Sequence, residues 1–247
     1  MSVKTIADLP VYQVKDKEPK FNFLVYGESG VGKTRFCGSV CDVPELCPAL
    51  LLDVEGGSLT LRSIYPELEC VRIDTWEKLQ RVHSRLKSHP DHGYKTIIID
   101  SITEMQKIGM DHTMQVRKGG DDQQVPELKE WNINIEQVRR YVRAFRDLQG
   151  VNTLFTALVR ADVDKRTGLA RKKPSLNGKV ADEVCGFLDI VTYLGMEEVD
   201  KVNTRILQTG NTAGTVAKDR SNFLPMLIAN PTMADIYKFI NQEGPSK

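Results

Sequence analysis

Apolar residues along this chain fall into short unbroken runs separated by stretches of helical spacing. The runs 21–26, 49–54, 70–73, 96–99, 153–159, 190–194 and 204–208 are rich in β-branched and large aliphatic side chains. They predict strands, most of them buried on both faces. Between them, Leu79, Val82 and Leu86 in the stretch 76–87 recur at helical intervals, as do Val138, Val142, Phe145 and Leu148 in the stretch 127–148. A further helix is expected to start at Lys33. In 232–240 a short amphipathic helix would carry Met233, Ile236, Tyr237 and Ile240 on one side, turned toward the core. Short continuous strands alternating with helices indicate an α/β protein whose mainly parallel central sheet is flanked by helices on both faces. Ligands of such sheets bind outside the carboxyl ends of the strands. Gly27, Glu55, Asp100 and Arg160 all fall at or just past predicted strand ends, so they are expected to cluster at one edge.

The first twenty residues carry two prolines and the charged run 15–20, which reads as an arm outside the core. The expected organisation is an arm at 1–20, an α/β core at 21–230, and a C-terminal helix and tail at 231–247. At 247 residues, one sizeable α/β domain is the natural reading. A net charge of +1 gives no overall attraction to nucleic acid, so any such contact must come from a local basic patch. Five cysteines with no CxxC pair point to reduced thiols rather than a zinc site. The N-terminus lacks the apolar segment of a signal peptide, and no apolar stretch approaches the ~20 residues needed to cross a bilayer. The expectation is a cytoplasmic protein with no membrane partner.

The sharpest chemical signal is Gly27-Glu28-Ser29-Gly30-Val31-Gly32-Lys33-Thr34, which fits GxxxxGK[ST] between an apolar strand and a helix. Glycines let the backbone wrap a phosphate, and the amide N–H groups at the start of a helix favour the anion. Lys33 would reach the β- and γ-phosphates, and the Thr34 hydroxyl would ligate Mg2+, with Arg35 the next residue along. The expected ligand is Mg2+-bound ATP. Asp100, ending the run Ile97-Ile98-Ile99, suits the second metal-holding position.

Hydrolysis also needs a group that orients or deprotonates water. The residue after Asp100 is Ser101, so no glutamate follows there. Glu55 ends the 49–54 strand, which can lie beside the phosphate-loop strand and bring its carboxylate near the γ-phosphate. Asp53-Val54-Glu55-Gly56 also satisfies the DxxG of GTPase switches, but no NKxD element accompanies it.

Together VYGESGVGKT, LLDVEGG, TIIIDSITEM, LVRADVD, PSLNGKVADEV, DIVTYL and AKDR resemble the core of the RecA family. They are similar to a group of short phage RecA-like ATPases, known as phage nucleotide-binding proteins or single-strand annealing ATPases. The resemblance runs from Phe21 to Pro225, and implies a RecA-like P-loop NTPase fold in a homo-oligomer, filament or ring, acting on single-stranded DNA in a host cytoplasm. It implies that Glu55 activates water and that Lys218 and Arg220 reach a neighbouring subunit's phosphates. Where RecA proteins carry a polar γ-phosphate sensor, this chain has Leu158; Thr156 and Arg160 are the nearby substitutes.

RecA-like folds place two DNA loops after the fourth and fifth strands. The first would be 116–124, with Arg117 and Lys118 in a mobile polar stretch. The second would be 160–179, where Arg160, Lys165, Arg166, Arg171, Lys172 and Lys173 outnumber the nearby acids. Such a stretch could track a phosphate backbone. A nucleotide-gated protein that binds a partner, such as a helicase loader, fits the same motifs, and so, less well, does a GTPase-type switch.

Overall fold

A computed structural model describes residues 5–6, 9–11, 13, 20–119, 124–163 and 168–241. It begins with an antiparallel pair, β1 (Thr5–Ile6) and β2 (Leu9–Pro10). Next come β3 (Asn22–Gly27), α1 (Lys33–Gly38), β4 (Ala49–Asp53), β5 (Glu69–Arg72), α2 (Trp76–Ser88), β6 (Thr96–Asp100), α3 (Ile102–Lys118) and α4 (Leu128–Arg146). The second half holds β7 (Asn152–Val163), β8 (Ala170–Pro174), α5 (Val180–Phe187), β9 (Ile190–Val199), β10 (Val202–Gln208), β11 (Lys218–Asp219), β12 (Leu227–Ala229) and α6 (Met233–Asn241).

The sheet order is β12-β10-β9-β3-β7-β6-β4-β5. From β9 to β5 the strands are parallel; β10 and β12 extend that sheet antiparallel. Alternate side chains serve two apolar layers, as a sheet covered on both faces demands. Leu24, Tyr26, Leu52, Ile99 and Phe155 pack with α2, α3, α4 and α5. Phe23, Val25, Leu51, Ile98 and Leu154 pack with Phe36 of α1 and with Met233 and Ile236 of α6. This is the α/β P-loop NTPase architecture, with a mainly parallel central sheet and helices on both faces.

Several elements depart from what the sequence predicts. Strand β4 is not beside the phosphate-loop strand: β7 and β6 stand between β3 and β4. The 70–73 run becomes an edge strand, with Cys70 exposed rather than buried. Strand β7 continues past 159 to Val163 and turns back as β8, so much of 160–179 is a β-hairpin and not an open loop. Arg160 therefore lies within a strand, not past its end. Helix α3 escapes the pattern because Thr103, Gln106 and Thr113 are buried among its apolar residues and break the stripe.

The helical layer is keyed by Trp76, which meets Tyr141 edge-on with ring centroids 5.0 Å apart. A Cβ on Gly109 would stand 3.1 Å from the Trp76 ring and 2.9 Å from Asn134 Nδ2, so a glycine on α3 lets α2 and α4 close over it. Trp76→Ala should therefore lower unfolding free energy by about 3–5 kcal/mol. Urea titration would measure it, and a loss below ~1 kcal/mol would show that the site collapses and re-packs.

Candidate nucleotide-binding site

The phosphate loop is shaped by close approaches as much as by turning. A Cβ on Gly27 would lie 2.2 Å from the Leu194 carbonyl oxygen of β9, so the end of β3 admits no side chain. Gly32 caps α1 at φ 104°, in the left-handed region that favours glycine. Lys33 is buried, and its Nζ donates to the Gly27 and Glu28 carbonyls at 3.1 and 2.8 Å, drawing the loop closed. Burial pushes this ammonium below the usual lysine value; among the charges that oppose the shift, Glu55 is the strongest and Asp100 the next. Both carboxylates are therefore electrostatic neighbours of the loop lysine.

The placement of Glu55 follows from backbone register. The Val54 and Glu55 amides both donate to the Asp100 carbonyl, at 2.7 and 2.9 Å, carrying the β4–β6 pairing past the strand ends. Asp53 then collects the amides of Gly56 and Gly57 on one oxygen, at 2.6 and 3.0 Å, and that of Ser58 on the other, at 3.3 Å. Arg72 donates to the Asp53 carbonyl at 2.9 Å. Asp53 is thus the residue that builds the turn presenting Glu55, and its role as a DxxG metal contact is not what the geometry supplies. The side chain of Glu55 itself is exposed.

Asp100 is buried, with both oxygens occupied by hydroxyls: Thr34 donates to Oδ2 at 2.6 Å, and Thr156 of β7 donates to Oδ1. Thr156 thus faces this carboxylate. The peptide between Asp100 and Ser101 is cis. A Cβ on Gly57 would lie 3.6 Å from Thr34 Oγ1 and 3.8 Å from Asp100 Oδ2, so the absence of a side chain there keeps space open beside both oxygens. Thr34, giving its proton to Asp100, turns its lone pairs outward. A hydroxyl and a carboxylate beside an anion cradle are the hard oxygen donors that suit Mg2+, whose remaining ligands come from phosphate and water.

The remaining sequence candidates lie elsewhere or are already engaged. Lys218 and Arg220 sit at the amino-terminal end of β9, where Lys218 pairs with Val191 while Tyr193 lies level with Tyr26, near the phosphate loop. Lys218 Nζ donates to the Cys185 carbonyl at 2.5 Å, and Arg220 binds the Gly186 carbonyl and Asp189 at 2.9 and 3.2 Å. Both cations are hydrogen-bonded within their own chain, at the edge opposite its phosphate loop.

Arg117 and Lys118 end helix α3 instead of forming a mobile loop. Arg117 pairs with the buried Glu130 at 3.0 Å and Lys118 with Glu127 at 3.2 Å, which cancels their charge; residues 120–123 lie outside the described residues. In the β7–β8 hairpin, Arg160 pairs with Asp162 at 3.3 Å, and Lys173 with Asp162 and Asp182 at 2.6 and 3.4 Å. Arg171 is exposed, and among the described residues its hydrogen-bond partner is the neutral Asn211, at 2.7 Å. Lys172 stands 4.5 Å over the Tyr193 ring. Lys165 and Arg166 lie outside the described residues.

Two interactions carry no local sequence signal. Arg205 of β10 donates from Nε to the Val31 carbonyl at 2.8 Å, across 174 positions of chain. Thr103, near the start of α3, accepts from the Leu158 amide at 3.0 Å and donates to the Ser175 carbonyl at 3.1 Å. Thr103 thereby fastens the root of the β7–β8 hairpin to the helix that follows Asp100. Leu158, in the sensor position, contributes its backbone to this clamp; the Ser175 amide returns to its carbonyl at 2.7 Å.

Among the described residues, no helix is long and apolar enough to cross a membrane. A family model described as AAA domain matches residues 20–221. No curated protein matches the chain. Among solved structures, the KaiC-like protein PH0186 from the hyperthermophilic archaeon Pyrococcus horikoshii OT3 is similar over 76% of this chain and 77% of its own, at 14% identity and a TM-score of 0.41. With the phosphate loop at 27–34 and a family match covering most of its length, the chain belongs to the AAA domain family of P-loop ATPases.

Proposed function

We propose that this protein binds and hydrolyses ATP with Mg2+, and that it works as a RecA-like homo-oligomer on single-stranded DNA, in annealing or strand exchange of the phage type. The observation that carries the hydrolytic half is the convergence of Glu55 and Asp100 on Lys33 and Thr34. Lys33 supplies positive charge where the transferred phosphoryl group gathers negative charge. Glu55, exposed and aimed by the Asp53 turn, accepts the proton of the attacking water. Thr34 and Asp100 are the residues that would hold Mg2+, which neutralises phosphate charge when bound.

The DNA half rests on the β7–β8 hairpin. Gly27 pairs with Leu158, so β7 runs five residues beyond the phosphate-loop strand, roughly 16 Å above the nucleotide edge. Among the described residues Arg171 and Lys172 have no carboxylate partner, which favours a polyanion near the nucleotide. Arg171→Ala with Lys172→Ala is expected to weaken single-strand binding and reduce the slope of log K against log salt by ~0.7 for each phosphate no longer neutralised. Lys173→Ala should do little, because Asp162 and Asp182 already balance that charge. An unchanged slope in the double variant would remove the hairpin from the DNA surface.

Nucleotide-gated binding of a protein partner is the second reading. It is favoured by Val116, Val125 and Leu128, which are 70–76% exposed around the end of α3 and the start of α4. ATP turnover with and without single-stranded DNA decides between them. Stimulation by DNA supports the first reading; slow turnover indifferent to DNA supports the second. Electron microscopy with DNA and a non-hydrolysable ATP analogue reports the assembly.

A further inference from the structure

Glu55, just past β4, and Asp100, ending β6, lie on one flank of the phosphate-loop strand. The opposite flank, toward β9 and β10, holds a cavity of about 430 Å³ that opens directly off the loop at Gly32 and Arg35. Its other walls include Tyr65, Arg205, Asn230 and Thr232. From β6 to β10 is four strand spacings, roughly 19 Å, about the reach of an extended nucleoside triphosphate. If the γ-phosphate end lies by the carboxylates, the nucleoside end falls in this cavity. Its volume lies in the usual range for small-molecule sites, about 300–1,000 Å³.

Resting on the phosphate-loop reading above, we propose that this cavity receives the base and ribose of the nucleotide, and that Arg205 is its specificity-determining wall. The guanidinium packs against the loop: a Cβ on Gly32 would stand 2.9 Å from Arg205 Nε and 3.5 Å from Cζ. Glycine at 32 is therefore needed twice, for its left-handed φ and for the arginine packed on it. Nε is committed to the Val31 carbonyl, while the two terminal nitrogens donate to no acceptor among the described residues and remain for the ligand. A planar cation beside a cavity of this size suits a planar aromatic base. Asp42, which also lines the cavity and accepts from the Tyr65 hydroxyl at 2.7 Å, offers a carboxylate to the N–H groups of a base edge. The antiparallel extension of the sheet thus supplies base recognition, and the same residue that recognises the base braces the phosphate loop.

Arg205→Gln separates the two roles, because glutamine Nε2 occupies the position of arginine Nε and keeps a donor for Val31. Binding of ATP and of inorganic tripolyphosphate, each with Mg2+, would be measured by calorimetry for wild type, Arg205→Gln and Lys33→Ala. Arg205→Gln is expected to bind ATP roughly 3- to 30-fold more weakly while binding tripolyphosphate as wild type does, which also shows that the variant is folded. Unchanged ATP affinity overturns the proposal, and so does equal weakening of both ligands, which would make Arg205 a loop brace only. Lys33→Ala should weaken both. If it weakens neither, the phosphate-loop reading itself fails, and that result is distinct from a failure at Arg205.

Discussion

Lys33→Ala is expected to abolish ATP turnover, by at least the ~10²–10³-fold attributed to removal of a single charge-stabilising group, while the fold survives. Two observations drive the expectation. The ammonium is the cation buried within the loop, with Glu55 and Asp100 its strongest counter-charges. Its removal takes away the buried cation that faces the β- and γ-phosphates. The fold should persist because the loop's shape rests on other features: Gly27 against the Leu194 carbonyl, the left-handed Gly32, and Phe36 in the apolar layer. Of the two carbonyls that lose a partner, that of Glu28 belongs to an exposed residue where water can replace the amine, and the buried Gly27 carbonyl loses one hydrogen bond. Circular dichroism would confirm the fold, and a phosphate-release assay would read the rate. Turnover equal to wild type would overturn the assignment of this loop.

Glu55→Gln should retain ATP binding and slow hydrolysis by about 10²–10⁴-fold, the range of a positioned general base. Glutamine keeps the size of the side chain and leaves its presentation untouched, since the turn is built by Asp53 and by the Asp100 carbonyl, not by the Glu55 carboxylate. Only the capacity to take a proton is lost. Separate measurement of nucleotide affinity and single-turnover rate distinguishes this from a binding defect. An unchanged rate would reduce Glu55 to a polar turn residue beside Gly56 and Gly57.

The parallel core was legible because strands buried on both faces read as unbroken apolar runs, and β3, β4, β6 and β9 lie where those runs fall. The phosphate loop was legible because its chemistry is local: eight consecutive residues carry the whole requirement. Strand neighbours were not, since a buried run carries no label for what it pairs with; Glu55 approaches the loop through β6 and Asp100, not from an adjoining strand. Helix α3 was hidden by buried Thr103, Gln106 and Thr113, each hydrogen-bonded to a partner that no hydrophobic pattern reveals. The hairpin did leave a signal, the Thr167-Gly168 pair between β-branched and basic residues, with Gly168 at φ 69°. Excess positive charge in that segment was visible, but Asp162 and Asp182 cancelling Lys173 required the fold. Arg205 is the extreme case, a single cation touching a loop most of the chain away.

The Thr103 clamp has a mechanical consequence. Its hydroxyl is bolted to both legs of the β7–β8 hairpin just where they leave the sheet, three residues after the carboxylate that touches Thr34. The two points at which the hairpin is rooted, Leu158 and Ser175, and the first turn of the helix after Asp100 therefore share one hydroxyl, so a shift of any of the three is felt by the other two.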